Sequence, residues 1–260
     1  MSRILILVVF LLILVGSVKA QFSYGTTGLL HAPTAEMQRD KTAMIGGGYL
    51  NSHATPDRWW YNTWNYYLNI TYFPWLEIGC NFTIFNEWID DNGPVHMINQ
   101  DRQFSARLRL WKEGWGNDWM PQVVIGSNDV LHSSAKGKFF ESNDGKSERK
   151  GNTYHQRYYI AVTKHLSWQG EWGIHLSYVY SDRKGHAFNG PALGVDYRFA
   201  LPETSHLNKA INQLNLMVEY DSKHVNVGAK YACWKETIHI IAELAQCRYP
   251  SVGMYLTLHL

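Results

Sequence analysis

The chain has 260 residues, with 24 Lys and Arg against 22 Asp and Glu, a formal charge of +2 with His neutral. So even a balance argues against nucleic acid as a partner, which demands a strong basic excess. Three Cys (Cys80, Cys233, Cys247) without a C-x-x-C pair argue against a disulfide-built scaffold or a zinc ribbon. The 12 His are scattered and read as surface or polar-face residues, so no metal and no cofactor is expected.

Residues 1–20 form the first element. Arg3 precedes the unbroken apolar run "ILILVVFLLILV" at 4–15, and "GSVKA" follows, with Val18 and Ala20 at the −3 and −1 positions of a signal-peptidase site. Twelve apolar residues are too few to cross about 30 Å of hydrocarbon as a helix. Cleavage is expected before Gln21. It removes Arg3 and Lys19 and no acid, which leaves 22 basic against 22 acidic residues. Residues 21–40 form an N-terminal segment containing "HAPTAE", and 41–260 form one domain.

From residue 41 the apolar residues recur every second position, the period of an extended strand. In chain order the expected strands are 41–50, 61–73, 75–86, 101–112, 121–127, 154–165, 171–181, 190–200, 213–221, 223–232, 236–245 and 252–260. Most run 9–12 residues, longer than the 5–6 usual in globular proteins and close to the 9–11 that a tilted strand needs to cross a bilayer. A short helix is expected at 203–211. The triple glycine of "GGGY" at 46–49 falls inside a strand and reads as a bend or a close backbone contact.

The connections give a second test of the membrane reading. Outer-membrane barrels with both termini in the periplasm have long odd-numbered loops and short even-numbered turns. That parity holds through the first eight strands. It fails at the eighth connection, "LPETSHLNKAIN", which is longer than the ninth.

"QFSARLRL" (103–110) alternates Gln103, Ser105, Arg107 and Arg109 with Phe104, Ala106, Leu108 and Leu110. The oily face could rest on a second sheet or on lipid. Aromatics decide in favour of lipid. Trp64 and Tyr72 bracket one apolar stripe, and Trp172 and Tyr180 bracket another, with aliphatics between them. That is the girdle of two membrane interfaces. The expected fold is therefore all-β, an antiparallel up-and-down transmembrane β-barrel of about 12 strands preceded by a short plug or periplasmic segment.

On that model Arg107, Arg109, Arg157, Arg198 and Lys230 point into the lumen with Glu77, Asp196, Glu219 and Glu243. They either pair to lock the barrel or line a path for a polar or anionic polymer. No G-x-S-x-G, H-E-x-x-H or phosphate-binding glycine loop is present. His239 with Glu243, or His175 with Ser177, are candidates for catalysis, but strands this rich in polar residues supply such pairs by chance. A non-enzyme is expected. "NIT" (69–71) and "NFT" (81–83) lie mid-strand and are not read as glycosylation sites.

"TTGLLHAPTAEMQRDKTAMIGGGY" (26–49), "GPALGVDYRF" (190–199) and "EYDSKHVNVGAKY" (219–231) together resemble the YjbH family of Gram-negative outer-membrane proteins. The resemblance rests on Gly28, Leu29, Pro33, Thr34, Ala35 and Asp40, then Glu219, Tyr220, Asp221, Asn226, Gly228 and Tyr231. It implies a barrel tied to exopolysaccharide or capsule production and export, without a catalytic residue. The chain carries no lipidated Cys, and Leu260 is not the terminal aromatic common in outer-membrane barrels.

The functional expectation is an outer-membrane barrel assisting export or assembly of such a polymer. Its partners would be outer-membrane lipid, polysaccharide and periplasmic export proteins. Two alternatives stand beside it: a secreted β-sandwich binding glycans through Trp59, Trp60, Trp88, Trp115 and Trp119, and an outer-membrane enzyme acting on lipid or glycan. Threading also sets Cys233 and Cys247 at opposite ends of one strand, about 30 Å apart at ~3.3 Å per residue, so no disulfide is expected between them.

Overall fold

Strand alternation organises the whole domain. A computed structural model describes residues 20–56, 61–87, 97–129, 154–181, 186, 188–234 and 236–260. The signal-peptide reading, Trp59, Trp60 and Trp88 lie outside the described residues. Two short strands, β1 (Ala20–Gln21) and β2 (Thr26–Thr27), form a small ladder of their own. The remaining strands are β3 (Thr42–Leu50), β4 (Thr63–Phe73), β5 (Leu76–Glu87), β6 (Met97–Trp111), β7 (Gln122–Asn128), β8 (Arg157–Ser167), β9 (Glu171–Tyr180), β10 (Gly190–Arg198), β11 (Leu214–Tyr220), β12 (Val225–Cys233), β13 (Ile238–Ala245) and β14 (Tyr249–His259).

These twelve, β3 to β14, pair antiparallel with their chain neighbours, and β14 pairs with β3 from Val252–Tyr49 to His259–Thr42. The sheet closes on itself, which leaves no open edge. The transmembrane barrel is therefore the fold. The sandwich alternative is overturned, because among the described residues no second sheet covers the apolar face.

The split by face is clear on β4 and β6. On β4, Thr63, Asn65, Tyr67, Asn69 and Thr71 are buried, while Trp64 is 59% and Tyr72 63% exposed. On β6, Gln103, Ser105 and Arg107 are buried inward; Phe104, Leu108 and Leu110 face out, Leu110 at 52%. An apolar belt so exposed would be an aggregation hazard in water and is the natural surface for hydrocarbon. The rim shared by Thr42 and His259, called proximal here, carries exposed Trp75, Trp111, Trp115, Trp119, Trp168 and Trp234. These sit in or beside the short turns, as an interfacial girdle does.

Strand starts differ from expectation by three or more residues at three places. β6 begins at Met97, where it still pairs with Glu87 of β5; β8 begins at Arg157; β14 begins at Tyr249. The long eighth connection contains α1 (His206–Asn212), capped by Ser205, whose hydroxyl accepts from Asn208 N at 3.1 Å. A helix needs residues that a hairpin turn does not, and this accounts for the broken parity. All three cysteines are free, Cys233 at the proximal end of β12 and Cys247 beyond the distal end of β13.

The core of the molecule lies inside the cylinder. Residues 21–35, which precede the first barrel strand, are all buried. Phe22, Leu29 and Leu30 pack on Leu50, Met217 and Ile241 of the wall, and Ala35 packs on Val124, Tyr159, Ala161 and Val179. The "HAPTAE" segment is thus a plug within the lumen.

Candidate functional site

The plug has little regular structure, so its backbone N–H and C=O groups need partners that a strand ladder would otherwise supply. Inward side chains of the wall supply them. The Glu219 carboxylate accepts the N–H groups of Leu30, His31 and Ala32 at 3.0, 2.8 and 3.0 Å. Glu77 accepts from Thr27 N at 2.9 Å and Thr27 Oγ1 at 2.7 Å. Arg107 donates to both Glu77 oxygens at 3.1 and 3.0 Å and to the carbonyls of Thr34 and Glu36 at 2.5 and 2.8 Å. Arg157 donates to His31 O and to Gln21 Oε1, both at 2.8 Å, and its guanidinium lies 3.3 Å from the Tyr24 ring centroid.

Asparagines complete the grip. Asn65, Asn69 and Asn81 donate to the carbonyls of Phe22, Gly25 and Ser23. Ala35 N donates to Thr163 Oγ1 at 2.9 Å, and Gln122 donates to Ala35 O.

His31 is the polar centre of the plug. Its Nε2 pairs with Glu243, and its Nδ1 lies 2.9 Å from Ser23 Oγ. Its ring stacks on Phe188 with centroids 4.7 Å apart. Burial alone would pull its pKa down, but the carboxylates of Glu243, Glu219 and Asp221 outweigh that and hold it at about 9. At neutral pH it is an imidazolium locked among acids.

The residues expected in the lumen occupy two tiers. Arg107, Arg157, Asp196, Glu219, Lys230 and Glu243 are buried inside the barrel, whereas Arg109 and Arg198 are only partly buried, toward the proximal rim. Asp196 accepts from His175 Nε2 at 2.7 Å and from Asn215 Nδ2 at 2.6 Å. Neither proposed catalytic pair forms. Glu243 takes His31 rather than His239, which meets Thr257; His175 takes Asp196 and Thr163 rather than Ser177.

The motif residues meet although they are far apart in sequence. Gly28 bridges Pro33, which folds the plug back on itself. Asp221 accepts from Lys223 N and His224 N and from Asn226 Nδ2, and Asn226 also donates to Glu219. That network steers Glu219 onto residues 30–32. Gly194 and Gly228 leave room for the plug leucines: a Cβ on Gly228 would stand 2.7 Å from Leu30 Cδ2, and one on Gly194 would strike Leu29. Within the triple glycine, Gly48 works similarly, since a Cβ there would meet Phe22 at 2.6 Å, whereas Gly46 and Gly47 lie close to neighbouring wall strands.

A second cluster sits at the proximal rim. His165 lies 2.5 Å from both Glu36 and Glu113, and Lys164 pairs with Glu113 at 2.9 Å. Partial burial alone would raise the Glu113 pKa; hydrogen bonds from Lys164 and His165 hold it below the usual carboxylate range.

Residues 20–139, spanning the plug and β3 to β7, match the family model YjbH, described as "Exopolysaccharide biosynthesis protein YbjH". Over this stretch the chain is similar to the YjbH family. The YjbH match contains Pro33, Thr34, Ala35, Glu77 and Arg107, while the cradle residues Glu219, Asp221, Asn226 and Gly228 lie beyond it. Among solved structures, the chain is similar to outer membrane phospholipase A from Escherichia coli. The identity is 11% and the TM-score 0.29, over 85% of this chain and 97% of that one. No curated protein matches the chain significantly.

Sequence reading did not single out His31, Asn65, Asn69, Asn81 or Asn215 as site residues. A signal existed for the asparagines. Asn is depleted in strands, so its repeated use on one face marks a surface with something polar to hold.

Proposed function

We propose that the protein is a non-enzymatic outer-membrane component that supports exopolysaccharide or capsule production in a Gram-negative bacterium as a plugged barrel. The observation that carries this reading is the grip of Glu77, Arg107, Arg157 and Glu219 on the plug backbone. Of the charges that could line a path for an anionic polymer, Glu77, Arg107, Arg157, Glu219 and Glu243 are spent on the protein's own segment. Withdrawing that segment would leave buried charges unpaired, which costs several kcal/mol each. The barrel therefore acts as a membrane anchor and assembly platform, with lipid around its belt and periplasmic export proteins at its proximal rim. The YjbH match supplies the link to polysaccharide.

The test pairs a cell experiment with a biophysical one. A deletion strain should lose or reduce surface polysaccharide and regain it on complementation, and the purified full chain in a planar bilayer should show no steady conductance. Unchanged polysaccharide in the deletion strain overturns the role, and a large stable conductance overturns the plugged platform. In fractionation the protein should follow the outer membrane and show heat-modifiable gel mobility.

A further inference from the structure

The outward face is not uniform around the distal rim. Trp64, Tyr66, Tyr158, Tyr178 and Tyr180 place exposed aromatic rings there, as a membrane interface favours. Across β12, β13 and β14 the outward residues of the distal half are instead Val225, Val227, Ala242, Leu244, Pro250 and Val252. None is aromatic. Tyr220 of β11, cross-strand from Val225, bounds this strip on one side, and Tyr49 of β3, cross-strand from Val252, bounds it on the other. Neighbouring strands lie about 4.8 Å apart, so the four spacings from β11 to β3 make a smooth aliphatic slot about 19 Å wide.

The rim above the slot consists of three segments held to one another. Asp221 Oδ1 accepts from Lys223 N and His224 N at 3.1 and 2.9 Å, which pins the turn between β11 and β12. Gln246 N donates to Asn226 Oδ1 at 2.8 Å and Cys247 Sγ donates to Val225 O at 3.5 Å, which ties the turn between β13 and β14 to β12. Tyr249 stacks on His53 with ring centroids 3.6 Å apart, and Asn51 N donates to Ser251 Oγ at 3.1 Å, which brings in residues 51–56. A rim fixed in this way gives up little further freedom when something binds to it.

This arc is positively charged. Lys223 and Arg248 are exposed, and neither forms an ion pair among the described residues; the Arg248 guanidinium lies 5.5 Å from the Tyr249 ring centroid. His53 and His224 stand partly buried beside them. Asp221 is the one acid within residues 51–56, 221–225 and 246–250. It is 3% exposed, and its two oxygens are taken by Lys223 N, His224 N and Asn226 Nδ2. Glu219 and Glu243 face the other way, into the lumen, where the plug backbone and His31 hold them. At the proximal rim, by contrast, Lys164 pairs with Glu113.

An aliphatic slot beneath two unpaired cations is complementary to an amphiphile with apolar chains below and anionic groups above. Ammonium and guanidinium groups both bind phosphate, the guanidinium in a bidentate fork. The slot is wider than the two chains of a phospholipid laid side by side, and the cations stand on separate turns. Both features fit several acyl chains under a headgroup that carries two phosphates.

We infer that the distal ends of β12, β13 and β14 form a binding site for a diphosphorylated, multi-acyl glycolipid, with phosphates at Lys223 and Arg248 and chains along the slot. The inference rests on reading the belt as lipid-embedded and not on the polysaccharide role. A barrel that folds in detergent yet retains no such lipid defeats this inference alone, whereas a chain recovered as soluble protein defeats the membrane reading.

The experiment uses the full chain folded in detergent micelles, with foldedness checked by heat-modifiable mobility. It is titrated with diphosphoryl lipid A, phosphatidylglycerol, phosphatidylcholine or inorganic phosphate, and bound molecules are counted by native mass spectrometry. Lipid A should be retained at least about tenfold more tightly than either phospholipid, equal to about 1.4 kcal/mol. Lys223→Gln combined with Arg248→Gln, both at exposed turn positions, should erase that preference. Val252→Trp, which sets a ring in the slot without changing charge, should weaken retention as well. Arg102→Gln removes an exposed cation on β6, four strands from β14, and should change nothing. Unchanged retention in either slot variant, an equal loss in Arg102→Gln, equal retention of phosphatidylglycerol, or binding of inorganic phosphate without preference for the lipid overturns the proposal.

Discussion

The Glu219 carboxylate accepts the backbone N–H of His31 at 2.8 Å across 188 positions of sequence, and the same carboxylate also holds Leu30 and Ala32. One acid on β11 thereby organises three consecutive residues of a segment from the other end of the chain. Glu219→Gln keeps the shape but loses the charge and turns one acceptor into a donor. It is expected to lower stability by about 1.5–3 kcal/mol, the range for a hydrogen bond to a charged group. The urea midpoint of the folded barrel, followed by Trp fluorescence, checks this.

Gly194 and Leu29 are complementary in size. Gly194→Ala should overpack the plug at a cost of about 1–3 kcal/mol. Combined with Leu29→Ala, it should cost less than the two single changes added together, because the removed leucine vacates the space that the new methyl needs. A double-mutant cycle on urea midpoints measures the coupling; strict additivity would mean that the two positions do not meet.

His31 makes stability depend on pH. Its folded pKa of about 9 lies above its ordinary 6.5, so folding binds a proton more tightly there. The resulting stability is fully present below pH 6.5 and is lost as pH rises through about 9. The groups facing the ring are Glu243, Glu219, Asp221, Ser23 and Phe188. The urea midpoint should fall between pH 6.5 and 9 in the parent, and that fall should be absent in His31→Gln.

Arg107 and Glu77 form a fully buried pair at 3.0 Å. Arg107→Met should cost about 3–5 kcal/mol, because it strands the Glu77 charge. Adding Glu77→Met should restore only part of this, since the carbonyls of Thr34 and Glu36 and the donors of Thr27 stay without partners. Full restoration would show that the grip on the plug contributes little.

Cys247 is exposed at the distal rim, and Cys233 lies at the proximal end of β12. If the proximal rim faces the periplasm, a membrane-impermeant maleimide added to intact cells should label Cys247, and Cys247→Ser should abolish the signal. Labelling that appears only after the outer membrane is permeabilised would invert the orientation.

The barrel was readable because a period of two exposes every strand at once. Gln103 to Leu110 announces its own faces, and the same alternation recurs along the chain. The inward charges were legible for the same reason. Their partners were not, because Glu219 and Arg107 bind backbone amides and carbonyls, which every residue carries and no residue type advertises. "HAPTAE" drew attention through Pro33 and the family resemblance, yet nothing local says that Leu29 fits above Gly194. Gly48, inside the triple glycine, reads as a bend or a close backbone contact until Phe22 of the plug is seen against it. His31 looked like one more scattered histidine, and only its three acidic neighbours, Glu219 and Glu243 on distant strands and Asp221 in the turn after β11, distinguish it.

The seam between β14 and β3 joins the two ends of the barrel sequence, and this dictates an order of assembly. No enclosed space exists until His259 reaches Thr42, and the plug is covalently continuous with β3, so it is wrapped by the wall rather than threaded into it afterwards. Folding must therefore hold the N-terminal residues inside a curling, half-built sheet until the last strand closes the wall. A chain stopped before β14 would be an open trough, with unpaired rims on β3 and β13 and Phe22, Leu29 and Leu30 bared to any sticky neighbour.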